Sequence, residues 1–237
     1  MRNWKSCGLV TAAWAAIAVP AHANDKLGVA DASAFLMDRE AEIALSRSAA
    51  PAAISNDATV LVLEQDGSYT TAIEGSNGWT CFTGRSWTGP ARYKDGKKVW
   101  TPEHFNPKAR APQCFNAAGA VSVLELHKLT TSHFLKGAST EDVDLAIGRA
   151  LAAGTLPTPE IGAMSYMYSP DQYLSDEVGR FMPHLMIYQP FASQKDFGAP
   201  NKQMTVPLVG DGGTVFATTV VMSAYWSDGT PAMDHGG

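Results

Sequence analysis

Cysteine is scarce in this chain, with three in 237 residues, at Cys7, Cys81 and Cys114. That excludes the disulfide-dense secreted scaffolds and the zinc modules, which need closely spaced ligand pairs. Charge is also low, at 17 % of residues, and no run of Lys or Arg occurs. A nucleic-acid groove or an anionic membrane surface therefore has no counterpart here. Internal repeats and low-complexity tracts are absent.

The signatures of several enzyme classes are missing too. There is no G-x-S-x-G elbow and no S-x-x-K. H-E-x-x-H and the phosphate-binding glycine loops do not occur. His127 and His133 stand six apart and cannot share a helix face. Asp171 and Asp176 lack the spacing of a calcium loop. These absences remove families rather than enzymes in general, and they leave no cofactor to expect.

Long hydrophobic runs are missing except near the start. Gly8 to Val19 is apolar but spans only about twelve residues, short of the ~20 a bilayer helix needs. Arg2 and Lys5 precede it and Ala21-His22-Ala23 follows, the pattern of a signal peptide over 1–23 cleaved after Ala23. Cys7 lies ahead of the apolar run and leaves with it. The expected product is one globular domain, 24–237, periplasmic or secreted, with no membrane span after cleavage. Once Arg2 and Lys5 are gone, 16 basic residues face 23 acidic ones, a net charge of −7. Cys81 and Cys114 then form an even pair bound for an oxidising compartment, which predicts a disulfide.

What remains is a chain with 45 % hydrophobic residues, enough for a sizeable core. The pattern predicts a helix over 31–48, closed by Pro51. Thr59–Leu63 reads as a strand covered on both faces. Asp66-Gly67 turns it into a strand at 69–73, and Asn77-Gly78 turns that into one at 79–83, both as hairpins. Residues 84–119 read as a long irregular excursion, carrying Pro90, Pro102, Pro107, Pro112 and an Asp95-Gly96 turn. Helices are predicted over 121–135 and 140–153, the second with a Ser139/Asp142 capping box and Gly154 as its stop. Strand-like segments follow at 163–168, 184–188 and 214–225, the last after a Gly210-Asp-Gly-Gly213 turn. The fold class is α+β, a mainly antiparallel sheet of about five to six strands with helices packed on one face. This element order also resembles that of PAS- and GAF-like sensor domains, a likeness of order alone.

The stretch 162–189 concentrates the chemistry: tyrosines, methionines, His184 and loop carboxylates. The period of a strand groups Met164, Tyr166 and Tyr168 on one face, and His184, Met186 and Tyr188 on one face of the next strand. One reading is core packing by Met and Tyr. A second is a ligand or interaction pocket formed by Tyr166, Tyr168, Asp171, His184 and Tyr188. If that pocket were catalytic, His184 would be the acid–base of a hydrolase-like enzyme, oriented by Asp176 or Asp228. A third is copper, held by Met164, Met182, His184 and Met186, because thioether and imidazole suit Cu(I). Trp79, Trp87, Trp100 and Trp226 read as packing residues rather than a carbohydrate platform.

Glu42-Ile-Ala-Leu-Ser-Arg-Ser-Ala-Ala-Pro51, Asn77-Gly-Trp-Thr-Cys-Phe82, the 162–189 stretch and Trp226-Ser-Asp-Gly-Thr230 resemble segments of an uncharacterised family of exported bacterial proteins. The resemblance covers most of the mature chain and implies a single exported domain. It brings no activity, cofactor or site residue with it. The expectation is an exported protein of unknown activity, non-catalytic, with a small-ligand or interaction pocket near 162–189 and an unknown small molecule or protein as partner. The hydrolase and copper readings stand as alternatives.

Overall fold

Strand β1, Thr59–Leu63, is buried from Val60 to Leu63, as a continuous apolar run requires. At Asp66-Gly67 the chain reverses. The Asp66 carboxylate accepts from Ser68 N at 2.9 Å and Gly67 takes a φ of 82°. Strand β2, Tyr69–Ile73, then returns antiparallel to β1, with Leu63 opposite Tyr69. This is the hairpin the sequence predicts. The computed structural model describes residues 28–88, 92–94, 97–199 and 205–232, with only the backbone at 92–94, 97 and 98. The 1–23 signal segment, Pro90 and the Asp95-Gly96 turn lie outside those residues.

The second expected hairpin is not formed. Strand β3, Thr80–Gly84, crosses to the far side of β1 and runs parallel to it, with Val60 beside Cys81. The crossing is held over the entry to β1: Ser76 N and Asn77 N both donate to the Asp57 carbonyl, at 2.8 and 3.3 Å, and Thr59 N donates to the Trp79 carbonyl at 2.9 Å. Gly75 makes it fit, since a Cβ there would lie 2.1 Å from Thr59 N. Gly78 supplies a positive φ of 76°, so Asn-Gly turns the chain here without pairing the strands on either side of it.

The supposedly irregular excursion 84–119 holds a small ribbon, β4 (Arg92–Lys94) with β5 (Lys97–Val99). More consequentially, it holds a central strand, β6, Ala111–Phe115, buried at every position. β6 pairs antiparallel with β3, placing Cys81 opposite Cys114, and these two form the expected disulfide. Pro112 is tolerated because the ladder to the next strand involves only Cys114 and Phe115.

The remaining strands are β7 (Met164–Met167), β8 (His184–Tyr188), β9 (Leu208–Gly210) and β10 (Thr218–Met222). They complete one eight-stranded mixed sheet in the order β2-β1-β3-β6-β7-β8-β10-β9, antiparallel everywhere but between β1 and β3. The fold is α+β, with a sheet larger than the five to six strands expected because β6 and β9 join it.

The helical segments are not confined to one face. Residues 32–35 form a 3-10 turn, and α1 spans Arg39–Arg47, with the Asp38 carboxylate accepting from Ala41 N at 3.0 Å. The helix expected over 31–48 is thus shortened by its own capping residue. A single turn, α2 (Ala52–Ser55), follows Pro51. Beyond β6 come α3 (Ala117–Gly119), a π-helical turn at Ala120–Leu124, α4 (Glu125–Leu135) and α5 (Thr140–Ala152). The Ser139/Asp142 box opens α5 as predicted, and Gly154 ends it at φ 71°.

Alternation along β3 separates these helices. Phe82 lies in one core with Phe115, Leu61, Leu124 and Leu156, and its ring stacks on His127 of α4 at 5.7 Å. Cys81 and Thr83 point the other way, where Thr83 shares a 2.8 Å hydrogen bond with Ser46 of α1. Hence α4 and α5 cover one face and α1 the other. Among the described residues, no helix is long and apolar enough to cross a membrane.

Candidate functional site

The register of β7 on β8 decides how the 162–189 side chains group. Tyr166 stands opposite Leu185, and His184 opposite Met167. Directly opposed residues share a face. Tyr166 therefore projects from the face of Leu185, and His184, Met186 and Tyr188 from the other. The sheet itself runs between the tyrosine cluster and the histidine.

On the α1 face, Tyr166 packs against Tyr168 at 4.9 Å and against Trp79 at 5.4 Å. All three are half-buried. Burial raises the pKa of the Tyr168 hydroxyl, opposed by its hydrogen bond with Ser223. The β10 register puts Val221 opposite Leu185 and Thr219 opposite Ile187. From the aromatic cluster an apolar surface thus runs on through Leu185 to Val221, with Met164 and Ile187 in the neighbouring row. Leu185, Ile187 and Met164 are half-buried, and Val221 is 38 % exposed.

On the α4 face, Tyr188 is buried, and its hydroxyl shares a 2.7 Å hydrogen bond with Ser165. Burial holds its pKa far above the ordinary phenol range. His184 is 5 % exposed, with its ring edge-on to Phe181 at 5.4 Å. Its Nδ1 lies 2.7 Å from the Met182 carbonyl. A carbonyl only accepts, so Nδ1 carries the proton and donates. Burial lowers the imidazole pKa, and the carbonyl bond works against that; among the described residues no carboxylate contributes.

The loop carboxylates lie elsewhere. Asp176 is exposed and accepts from the Tyr173 hydroxyl. Asp228 is exposed and accepts from the Thr230 hydroxyl at 2.7 Å and from Thr230 N at 2.9 Å, which together hold its carboxyl below the ordinary range. Asp171 is exposed, and its N–H donates to Ser169 Oγ at 3.1 Å. Neither Asp176 nor Asp228 is a hydrogen-bond partner of His184. Of the four tryptophans among the described residues, Trp87, Trp100 and Trp226 are buried and Trp79 is half-buried.

The sequence reading missed a buried ionic centre. Arg85, just past β3, and Glu42 of α1 form a 2.8 Å ion pair whose side chains are 0 % and 1 % exposed. Arg85 Nε also donates to the Phe35 carbonyl at 2.7 Å, and Nη1 donates to the Thr83 carbonyl. Leu63 N donates to the same Glu42 oxygen at 3.3 Å. Nearby, burial pushes the Tyr69 hydroxyl up to about 12. Burial and repulsion by Arg85 bring Arg110 down to about 10. Every nitrogen of Arg85 is spent on the protein itself, so this centre fastens α1 to the sheet. Glu42 between Ala41 and Ile43 carries no spacing signal that would have marked it.

An open depression of about 310 Å³ lies between the β1–β2 turn and α4, lined by Gly67, Ser68, Tyr69, Lys128, Leu129 and Ser132 among others. None of its lining belongs to 162–189. Among the described residues, no group of three or more His, Cys, Asp or Glu side chains is placed to hold a metal ion.

What the fold and site define is an α+β domain with a disulfide-joined mixed sheet and a half-exposed aromatic shelf on one side of it. Comparison with models of known protein families, with curated proteins and with solved structures finds no match.

Proposed function

We propose that this is an exported, non-catalytic binding protein, periplasmic or secreted, whose partner is a protein docking through apolar side chains on the shelf of Trp79, Tyr166, Tyr168, Leu185 and Val221. The observation that carries this reading is the continuity of that surface. Aromatic rings at one end run into aliphatic side chains at the other, and the aliphatic end lies on β8 and β10, whereas α1 packs on β1, β3 and β6. Rings with a polar tip suit a contact that is apolar when closed and wet when open. A broad, open face fits a protein better than a small molecule, which favours a concave site. The Cys81–Cys114 disulfide supports the oxidising compartment that export implies.

The test places a photo-crosslinking side chain at Val221 and, as a control, at Ile161, an exposed apolar residue off the shelf. In cells exporting the protein, irradiation is expected to give one discrete adduct from position 221 and none from 161. Tyr166→Asp in the same chain is expected to abolish it. No adduct from 221, or equal labelling from both positions, would refute the reading.

A further inference from the structure

Three strands place their end residues in one row on the α4 face. Met167 closes β7, His184 opens β8 and Met222 closes β10. His184 stands directly opposite Met167 on one side and directly opposite Met222 on the other. Opposed residues of antiparallel strands hold their Cβ atoms about 4.5–5.5 Å apart on the same face. An imidazole thus sits between two thioethers at one end of the sheet. From this geometry we infer that Met167, His184 and Met222 form a binding site for a single soft monovalent metal ion, Cu(I). The inference is independent of the shelf, which lies on the opposite face.

Three observations favour this ion. The first is the tautomer. With Nδ1–H donating to the Met182 carbonyl at 2.7 Å, the lone pair of His184 lies on Nε2, which has no hydrogen-bond partner among the described residues. A ligating histidine is characteristically oriented in this way, through a carbonyl on its other nitrogen. The second is ligand type. Thioether sulfur is soft and neutral and selects Cu(I), whereas calcium and magnesium take oxygen and zinc takes thiolate, imidazole or carboxylate. The third is charge. Met167 and His184 are each 5 % exposed, Met222 is half-buried, and among the described residues no carboxylate acts on the imidazole. A dication among neutral ligands, two of them buried, would carry twice the charge out of water that a monocation carries. The set differs from the one the sequence suggests: Met164 projects from the other face, and Met182 serves through its carbonyl.

The buried disulfide is a competing source of copper binding, because reduced Cys81 and Cys114 would take Cu(I) as thiolates. The experiment therefore uses the oxidised mature protein, with thiols counted as absent. It is titrated anaerobically with Cu(I) against a chromogenic bicinchoninate competitor. One Cu(I) per chain is expected. Met167→Leu with Met222→Leu, a volume-conserving pair, is expected to weaken binding by more than about 100-fold, beyond the loss of an outer partner, with the circular dichroism spectrum unchanged. X-ray absorption of the loaded wild type is expected to show sulfur and nitrogen neighbours together. No uptake by the folded wild type would overturn the assignment. So would uptake that survives the double substitution, or a metal shell without sulfur. If the double variant fails to fold, the absorption spectrum of the wild type decides alone.

Discussion

At the scale of single residues, His184 is a group whose ionisation the fold controls through burial. Its ring is nearly enclosed, and the cost of desolvating an imidazolium outweighs the help of the Met182 carbonyl, so its pKa falls below 6.5. The consequence for stability has a definite sign. Because the folded value is depressed, the unfolded chain binds the proton first as pH falls. Stability tied to His184 is present above about pH 6.5 and is lost progressively as pH drops toward the folded value, by at most about 1.4 kcal/mol per unit. His184→Asn keeps a donor for the Met182 carbonyl and removes the titration. Urea unfolding from pH 7 to pH 5 is expected to show a falling midpoint for the wild type and a shallower fall for His184→Asn. Parallel curves would mean that other groups set the acid response.

At the scale of elements, the crossing from β2 to β3 turns on one glycine. A Cβ on Gly75 would meet Thr59 N at 2.1 Å and the Ala58 carbonyl carbon at 2.3 Å, whereas Gly78 has nothing within 4 Å of its own. Gly78→Ala then costs only its left-handed conformation, about 1–2 kcal/mol. Gly75→Ala must push backbone away from backbone and is expected to cost more, about 3–4 kcal/mol. Chemical denaturation of the two variants checks the order; equal losses would show that the crossover loop yields easily.

The same segment shows how far the sequence could be read. Asp66-Gly67 announced its hairpin because turn chemistry is local. Asn77-Gly78 announced a turn just as plainly, but which strand β3 would then join depends on the fit of Gly75 over Thr59, a contact between distant parts of the chain. The central strand β6 was hidden for a related reason. Ala-Pro-Gln-Cys-Phe has the look of a loop, and only its place between β3 and β7 makes it a strand. The candidate site was legible as a list and not as a geometry. Its tyrosines, methionines and histidine lie where expected along the chain, yet one step of register sends Tyr166 and His184 to opposite faces.

At the scale of the whole molecule, the Cys81–Cys114 bond joins two parts of the sheet. On one side lie β2, β1 and β3, built from residues 59–84, and on the other β6 to β10, built from residues 111–222. Only the β3–β6 ladder links them within the sheet, and the bond crosses that ladder at a directly opposed pair. Both cysteines are 0 % exposed, so a reductant reaches the bond only when the β3–β6 seam opens. In the unfolded chain the same bond closes a loop over a separation of 33 residues. The chain-entropy model then assigns it roughly 3–4 kcal/mol of stabilisation. Replacing both residues, Cys81→Ala with Cys114→Ala, is expected to lower the unfolding free energy by about that amount. It should also steepen the denaturant dependence, since an unlinked unfolded chain exposes more surface. A loss well under about 1 kcal/mol would mean that α1 and the Glu42–Arg85 ion pair hold the two parts together without the bond. A loss within the expected range would mean that oxidation completes this fold, tying its stability to the compartment in which it matures.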